Sequence, residues 1–438
     1  METKLARIAE VARTRPKEKF TSLAHIIDKE MLCKCHKEMK TGKASGVDEV
    51  TKTDYDQRLE GNLDDLLTRM KKQAYKPLPA RRTYIPKPGT DAKRPLGIPA
   101  YEDKLVQAAL AKILNAIYEE IFLECSYGYR PGRSCHDAIK MLRNIVNKPR
   151  IRFVVETDIK AFFDKVDHTW MIKFLEHKIQ DKNILRLIHR LLKAGIIEAG
   201  IKYDTPQGTP QGGVCSPILA NIYLHYVQDL WFEKGFKKNC NGEAYMVRYA
   251  DDSVFFFEDG EDATSFYKAL IERLAKFGLE VAEDKTRIIE LHKDGKDDDD
   301  SDPFDFLGFT FYQDKNPNRF GRKEIKLKTS KKKMQASLLR SKEWMRNNRT
   351  LMTKEFMKKV KSKVQGHINY FAVTGNRRSV GNFIDEVRKL LFKWLNRRSQ
   401  KNSFNWEKFI LFMEKYPLPK VQTKVYIYEL GAGANYLK

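Results

Sequence analysis

The sequence predicts an α+β protein: a body in which antiparallel strands alternate with helices, followed by a basic region that is helical throughout. Three observations carry the prediction. Residues 244–248 and 253–257 are apolar runs rich in aromatic and β-branched side chains. They flank Tyr249-Ala250-Asp251-Asp252, so they read as the arms of a β-hairpin with its acids at the turn. Apolar residues at helical spacing mark helices before and after that hairpin, among them Leu59, Leu63, Leu66, Leu67 and Met70. The charge, finally, is lopsided. The chain has 82 Lys+Arg against 58 Asp+Glu, net +24, yet residues 316–438 hold 30 basic and 8 acidic residues, net +22, leaving +2 on residues 1–315. A basic module on a near-neutral body points to a polyanion, and nucleic acid is the natural one.

Composition narrows the class further. A chain of 438 residues allows two or three domains, and 42% apolar content supports packed cores rather than wholesale disorder. No apolar run approaches the length of a membrane span. Residues 1–20 are too charged to contain a signal peptide's apolar stretch. A soluble, cytoplasmic protein with no membrane partner is expected. The six cysteines are scattered, and Cys33-Lys34-Cys35-His36 lacks a second ligand pair, so free thiols in a reducing compartment are expected rather than zinc.

Taken in order, residues 1–40 read as helical and basic, with Leu23, Ile26, Ile27 and Met31 on one stripe. Residues 41–48 form a Gly-containing basic loop before the helix through 59–70. Residues 82–85 make a short strand that runs into a Pro/Gly turn, and residues 94–99 lead into a helix over 102–122. Residues 127–133, Tyr-Gly-Tyr-Arg-Pro-Gly-Arg, form a rigid basic loop suited to stacking and phosphate contact through Arg130 and Arg133. A strand over 151–157 ends at Asp158. One helical segment covers 169–192, a short strand pair follows, and a Gly-rich loop at 205–217 opens an apolar helix to 234. Beyond the hairpin come a helix over 262–277, a short strand at 278–281 and a turn at 283–286. The acidic run 297–300 reads as a solvated loop tip. Residues 304–309 read as one strand whose return arm is 323–327. The basic region then holds helices over 331–349, 354–371 and 379–397, with Arg377-Arg378 and Arg397-Arg398 in loops.

The acids carry the chemistry. Two adjacent carboxylates in an apolar hairpin repel each other unless a cation sits on them, although Asp is also common in solvated turns. Asp158, at the exposed end of a core strand, is well placed to meet Asp251 and Asp252. Asp164 and Asp167 read as turn or capping residues. Lys87 and Arg94 flank a Gly/Pro loop, an arrangement that can hold two cations toward a triphosphate.

The order of these stretches resembles the reverse transcriptase family, specifically its bacterial group II intron-encoded class. The resemblance rests on Ser45-Gly46-Val47-Asp48, residues 94–99, 127–133 and 158–168, Gln211-Gly212-Gly213-Val214-Cys215-Ser216-Pro217, Tyr249-Ala250-Asp251-Asp252 and Phe306-Leu307-Gly308-Phe309. Residues 366–371 and 394–398 resemble the family's maturase, or thumb, region. The resemblance implies a right-hand polymerase: a basic extension at 1–24, fingers and palm at 25–315, and a helical thumb/maturase region at 316–438. One departure from the family is expected, in that no endonuclease domain follows, so second-strand cleavage by this chain alone is not expected.

That likeness implies RNA-directed DNA synthesis from an RNA template, a DNA or RNA primer and dNTPs, with structured group II intron RNA as a further partner. Two Mg²⁺ ions about 3.5–4 Å apart, or Mn²⁺ in their place, would be held by Asp158, Asp251, Asp252 and the Ile159 carbonyl. Lys87 and Arg94 would clamp the triphosphate, with Gln211 and Lys285 lining its pocket. Phe163 would exclude a ribose 2′-hydroxyl, its alternative being ordinary core packing. Lys331, Lys332 and Lys333 would meet the nucleic-acid backbone. Two other roles stay open: a maturase that mainly binds intron RNA, and a domesticated polymerase serving DNA repair or phage defence.

Overall fold

Residues 253–257 are apolar apart from Ser253, and both faces of their sheet are covered, which is what such a run requires. In the computed structural model, which describes residues 2–86, 93–209, 211–293, 301–317, 321–398 and 404–437, the chain begins with four helices. These are α1 (Glu2–Thr14), α2 (Lys29–Glu38), α3 (Lys52–Asp56) and α4 (Leu59–Lys71), and they precede the hairpin β1 (Ala80–Pro86) and β2 (Lys93–Ile98). Helices α5 (Tyr101–Tyr118) and α6 (Cys135–Val146) lead to β3 (Phe153–Thr157). Next come α7 (Phe162–Lys165), α8 (His168–Glu176), α9 (Lys182–Leu192), β4 (Ile196–Glu198) and β5 (Ile201–Tyr203). A continuous rod of α10 (Ser216–Leu224), a π-helical stretch (His225–Asp229) and α11 (Leu230–Lys234) reaches the hairpin β6 (Ala244–Tyr249) and β7 (Asp252–Phe257). After α12 (Gly260–Lys276) come β8 (Arg287–Glu290), β9 (Phe304–Phe306), β10 (Phe309–Pro317) and β11 (Lys323–Thr329). The last helices are α13 (Lys331–Asn347), α14 (Thr353–Phe371), α15 (Arg377–Leu395) and α16 (Trp406–Lys415).

The central sheet has the order β6-β7-β3-β8 and is antiparallel throughout. Its alternation divides two cores. Phe255, Phe257 and Met246 enter one core with Leu110 and Ile113 of α5 and Phe266 of α12. Val254, Phe256 and Val247 enter the other with α6, the β11-β10-β9 sheet and helices α13–α15. Each fully buried Phe or Val is worth roughly 1.5–3 kcal/mol over exposure, so the sheet end that carries the acids is fixed by packing on both sides. A third sheet, β2-β1-β4-β5, shares no strand with it.

Several elements differ from the sequence reading. The helix expected over 1–40 breaks after Thr14, and Leu23 to Ile27 lie in a loop with one 3₁₀ turn. There the Leu23 and Ala24 N–H groups donate to Asp181 at 2.6 and 2.8 Å. Asp181 also caps α9, which is why the segment 169–192 is two helices rather than one. Residues 94–99 begin as a strand, β2, paired with β1. Around 278–281 only a bridge from Val281 to Ile159 forms. The strand expected over 304–309 is cut at Leu307-Gly308, where φ is 48° and 83° and the chain reverses from β9 into β10; a consecutive left-handed pair makes a tight hairpin turn. Arg377 and Arg378 open α15 instead of sitting in a loop. β8, α3, α6, α7 and α16 have no counterpart in the sequence reading. Residues 297–300 lie outside the described residues. All six cysteines are free thiols. Among the described residues no helix is long and apolar enough to cross a membrane.

Candidate active site

Register brings two of the acids together. Strands β3 and β7 pair with Thr157 opposite Ser253, so one further step sets Asp158 opposite Asp252. On the other flank of β7, Tyr249 pairs with Asp252, which leaves Ala250 and Asp251 as a two-residue turn. Ala250 is left-handed, with φ 58°. Beneath the acids the Thr157 and Ser253 hydroxyls are 2.8 Å apart, and Gln228 Nε2 donates to Ser253 Oγ at 2.8 Å. The Asp158 carbonyl accepts from Ala282 N at 2.8 Å.

These residues open onto a cavity of about 1140 Å³ whose lining includes Asp158, Ile159, Phe163, Asp251 and Asp252. Arg94, Gln211 and Tyr129 line it from other elements. Burial pushes the Asp251 carboxyl up, and the negative charge of Asp158 adds to the effect, while Arg94 and Arg248 oppose it. A carboxyl pushed up by burial and a neighbouring negative charge is relieved by a cation. The donors are hard oxygens, the set that divalent Mg²⁺-type ions take. The described residues therefore fit a divalent ion by chemistry and electrostatics, although no three His, Cys, Asp or Glu side chains among them are gathered as a ready-made cluster.

The other expected site residues are distributed unevenly. Phe163 is half-buried at the cavity wall, edge-on to Phe162 with ring centroids 5.3 Å apart. Gln211 is docked by its backbone, its carbonyl accepting from Gly97 N of β2 at 2.7 Å. Arg94 lies exposed on β2, paired in register with Ile85. Lys87 lies outside the described residues, and for Lys285 only the backbone, in a 3₁₀ turn at Glu283–Lys285, is described. Lys331, Lys332 and Lys333 are exposed in the first turn of α13, outside the cavity lining.

Arg130 corrects an expectation. It is 6% exposed and bonds Glu119 at 3.1 Å and the carbonyls of Leu123 and Ser126 at 2.7 and 2.9 Å. Its guanidinium holds its own loop together and has no surface to offer a phosphate. Arg133 is likewise turned onto Glu124, at 2.8 Å. Of the loop's two aromatic faces Tyr127 is buried, and Tyr129 alone reaches the cavity.

Residues 85–311, just over half of the chain, match the family described as reverse transcriptase (RNA-dependent DNA polymerase). The chain belongs to the reverse transcriptase family. Group II intron-encoded protein LtrA of Lactococcus lactis subsp. cremoris is 37% identical over 222 residues, which is 50% of this chain and 37% of LtrA. Protein YkfC of Escherichia coli (strain K12) is 40% identical over 189 residues, 42% of this chain and 49% of YkfC. The chain thus matches less than half the length of either relative. A telomerase structure from Candida albicans with a fragment of telomeric RNA aligns at TM-score 0.49 and 14% identity, covering 83% of this chain and 62% of that one. The relatives it matches include a group II intron-encoded protein. Reverse transcriptases work with divalent metal ions and nucleic acid.

The sequence reading missed the support beneath the acidic turn. Arg248 is fully buried and ion-paired with Asp229 at 2.6 Å. A signal was available: Ala244, Met246 and Arg248 share one face of β6 by alternation, and a charge on a buried face needs a partner. Asp229 carried no such signal, because the π-helical stretch that contains it shifts the helical phase.

Proposed function

We propose that this protein is an RNA-directed DNA polymerase of the group II intron-encoded kind, with a maturase role in binding intron RNA. The observation that carries the reading is the register that sets Asp158 abreast of Asp252, beside Asp251, at the floor of one large cavity. Two Mg²⁺ ions, or Mn²⁺, held by Asp158, Asp251, Asp252 and the Ile159 carbonyl would activate the primer 3′-hydroxyl and neutralise charge on the leaving phosphate. Arg94 faces the same space and pairs with the triphosphate of a dNTP. Gln211, fixed through Gly97, forms the wall beside the incoming base, and Phe163 fills the volume that a ribose 2′-hydroxyl needs. By the family resemblance Lys87 and Lys285 would also meet the nucleotide. The C-terminal region, with net +22 over residues 316–438, holds the template–primer duplex and intron RNA through their phosphates.

The test is Asp251→Asn in primer extension on an RNA template. Removing one ligand charge should abolish extension, while RNA binding stays within a few-fold because the basic helices are untouched. Near-parental extension by the variant would overturn the reading.

A further inference from the structure

Every donor of Arg248 is engaged. Nε and Nη2 grip the two oxygens of Asp229 at 2.7 and 2.6 Å. Nη2 also reaches Ser126 Oγ at 2.8 Å, and Nη1 reaches Asn221 Oδ1 at 3.1 Å. The fifth contact, from Nη1 to the Ala250 carbonyl at 2.9 Å, falls on the first residue of the acidic turn. A guanidinium has five N–H donors in a fixed fork, so this one is fully committed and cannot rotate without losing a bond.

The contacts converge on a strained place. Ala250 is a left-handed residue with a side chain, a conformation that persists only where its surroundings over-determine it. The Tyr127–Tyr129 segment also approaches it closely. A Cβ on Gly128 would stand 2.3 Å from Ala250 N, and Asn221 Nδ2 holds the Gly128 carbonyl at 2.7 Å. Ala250 is therefore clamped between a buried ion pair and a glycine, and the next two residues are Asp251 and Asp252.

We infer that Arg248 and Asp229 form a positioning pair that sets the acidic turn for divalent-metal binding, through the Ala250 carbonyl and without touching metal or substrate. The inference rests on the polymerase reading of the site. A fork matters here because lysine would carry the same charge but could not span Asp229, Asn221, Ser126 and Ala250 at once. Residues that orient metal ligands from behind characteristically alter metal affinity or activity by about 10- to 100-fold when changed.

The experiment compares parent, Arg248→Lys and Ser126→Ala in three measurements: Mn²⁺ affinity of the protein without nucleic acid by electron paramagnetic resonance, template–primer affinity, and kcat for extension as Mg²⁺ is varied. For Arg248→Lys the expected result is Mn²⁺ affinity weakened about tenfold or more, kcat lowered, and template–primer affinity within twofold of the parent. Ser126→Ala should shift in the same direction by less. Thermal unfolding of each variant checks that it folds, and if Arg248→Lys does not, Ser126→Ala decides. A variant that melts earlier yet keeps parental Mn²⁺ affinity and kcat would make the pair structural only and overturn the inference. Absence of extension by the parent itself would instead count against the polymerase reading, while the Mn²⁺ comparison would still judge the pair.

Discussion

Phe163 shows how a single side chain can be held as a wall. Its carbonyl accepts from Thr209 N at 2.7 Å, and Gly208 N reaches the Val166 carbonyl at 2.7 Å, so the backbone beneath the ring is fixed from a neighbouring loop. Phe163→Ala should therefore empty space in the cavity without moving the acids. The expected outcome is that the variant incorporates ribonucleotides that the parent rejects, while dNTP use persists. Single-nucleotide extension with rNTP and dNTP measures it, and equal rNTP use by the two proteins would leave Phe163 as packing alone. His367 makes a different point at the same scale. Burial pushes its imidazole down to about 4, with the Arg340 charge adding to the effect, and its ring stacks on Phe383 with centroids 3.6 Å apart. The unfolded chain, titrating near 6.5, binds that proton more tightly than the fold does. Stability from the neutral ring is full above pH 6.5 and is lost as pH falls toward 4, at no more than about 1.4 kcal/mol per pH unit. His367→Phe keeps the stack and removes the titration, so urea unfolding at about pH 7 and about pH 5 should show a smaller loss of stability on acidification than in the parent. An identical loss would place the acid sensitivity elsewhere.

Elements are legible in the sequence where one physical signal dominates. The β6–β7 hairpin, α4 and α14 announce themselves by period and by β-branched or aromatic content, and the acids at the hairpin turn are readable for the same reason. Elements whose form depends on distant partners are not. The Phe306-Leu307-Gly308-Phe309 stretch looks like an uninterrupted strand, and its reversal needs two left-handed residues, one of them Leu307, which local propensity opposes. Helix α14 supplies the support, since Tyr370 OH donates to the Leu307 carbonyl at 2.8 Å. Arg130 departs from its sequence reading for a related reason. A basic residue in a Gly/Pro loop is usually solvated, and only the fold reveals Glu119 beside it. The break between α8 and α9 is hidden as well, because the capping of α9 by Asp181 is visible locally whereas its bonds to Leu23 and Ala24 span more than 150 residues of sequence.

At the scale of the whole molecule the charge asymmetry poses the last question. Lys331, Lys332 and Lys333 occupy the first turn of α13, which contains no acid, and all three are exposed. Cations at a helix N-terminus are unfavourable by about 0.3–1 kcal/mol each, and the same terminus attracts phosphate. Their position ties them to the site. The aliphatic stem of Lys333 lies over Gly308, where an added Cβ would come within 3.2 Å of its Cγ, and neighbouring Leu307 lines the cavity. A duplex leaving the cavity past this turn would meet the three ammonium groups through its backbone, since side chains cannot read the deep groove of A-form RNA. Changing all three lysines to glutamine should act in opposite directions on stability and binding. The melting temperature should hold or rise as the repulsion at the helix end is relieved. Affinity should fall across unrelated template–primer sequences, and the slope of log affinity against log salt should shrink by about 2.7 if three phosphate contacts to a duplex are lost. Extension at saturating enzyme should survive, because Asp158, Asp251 and Asp252 are unchanged. A loss confined to one structured intron RNA, with a generic duplex bound as before, would assign these lysines to maturase recognition. An unchanged slope on both substrates would make them a solvated face. Titrating parent and variant against both substrates at several salt concentrations separates the three outcomes.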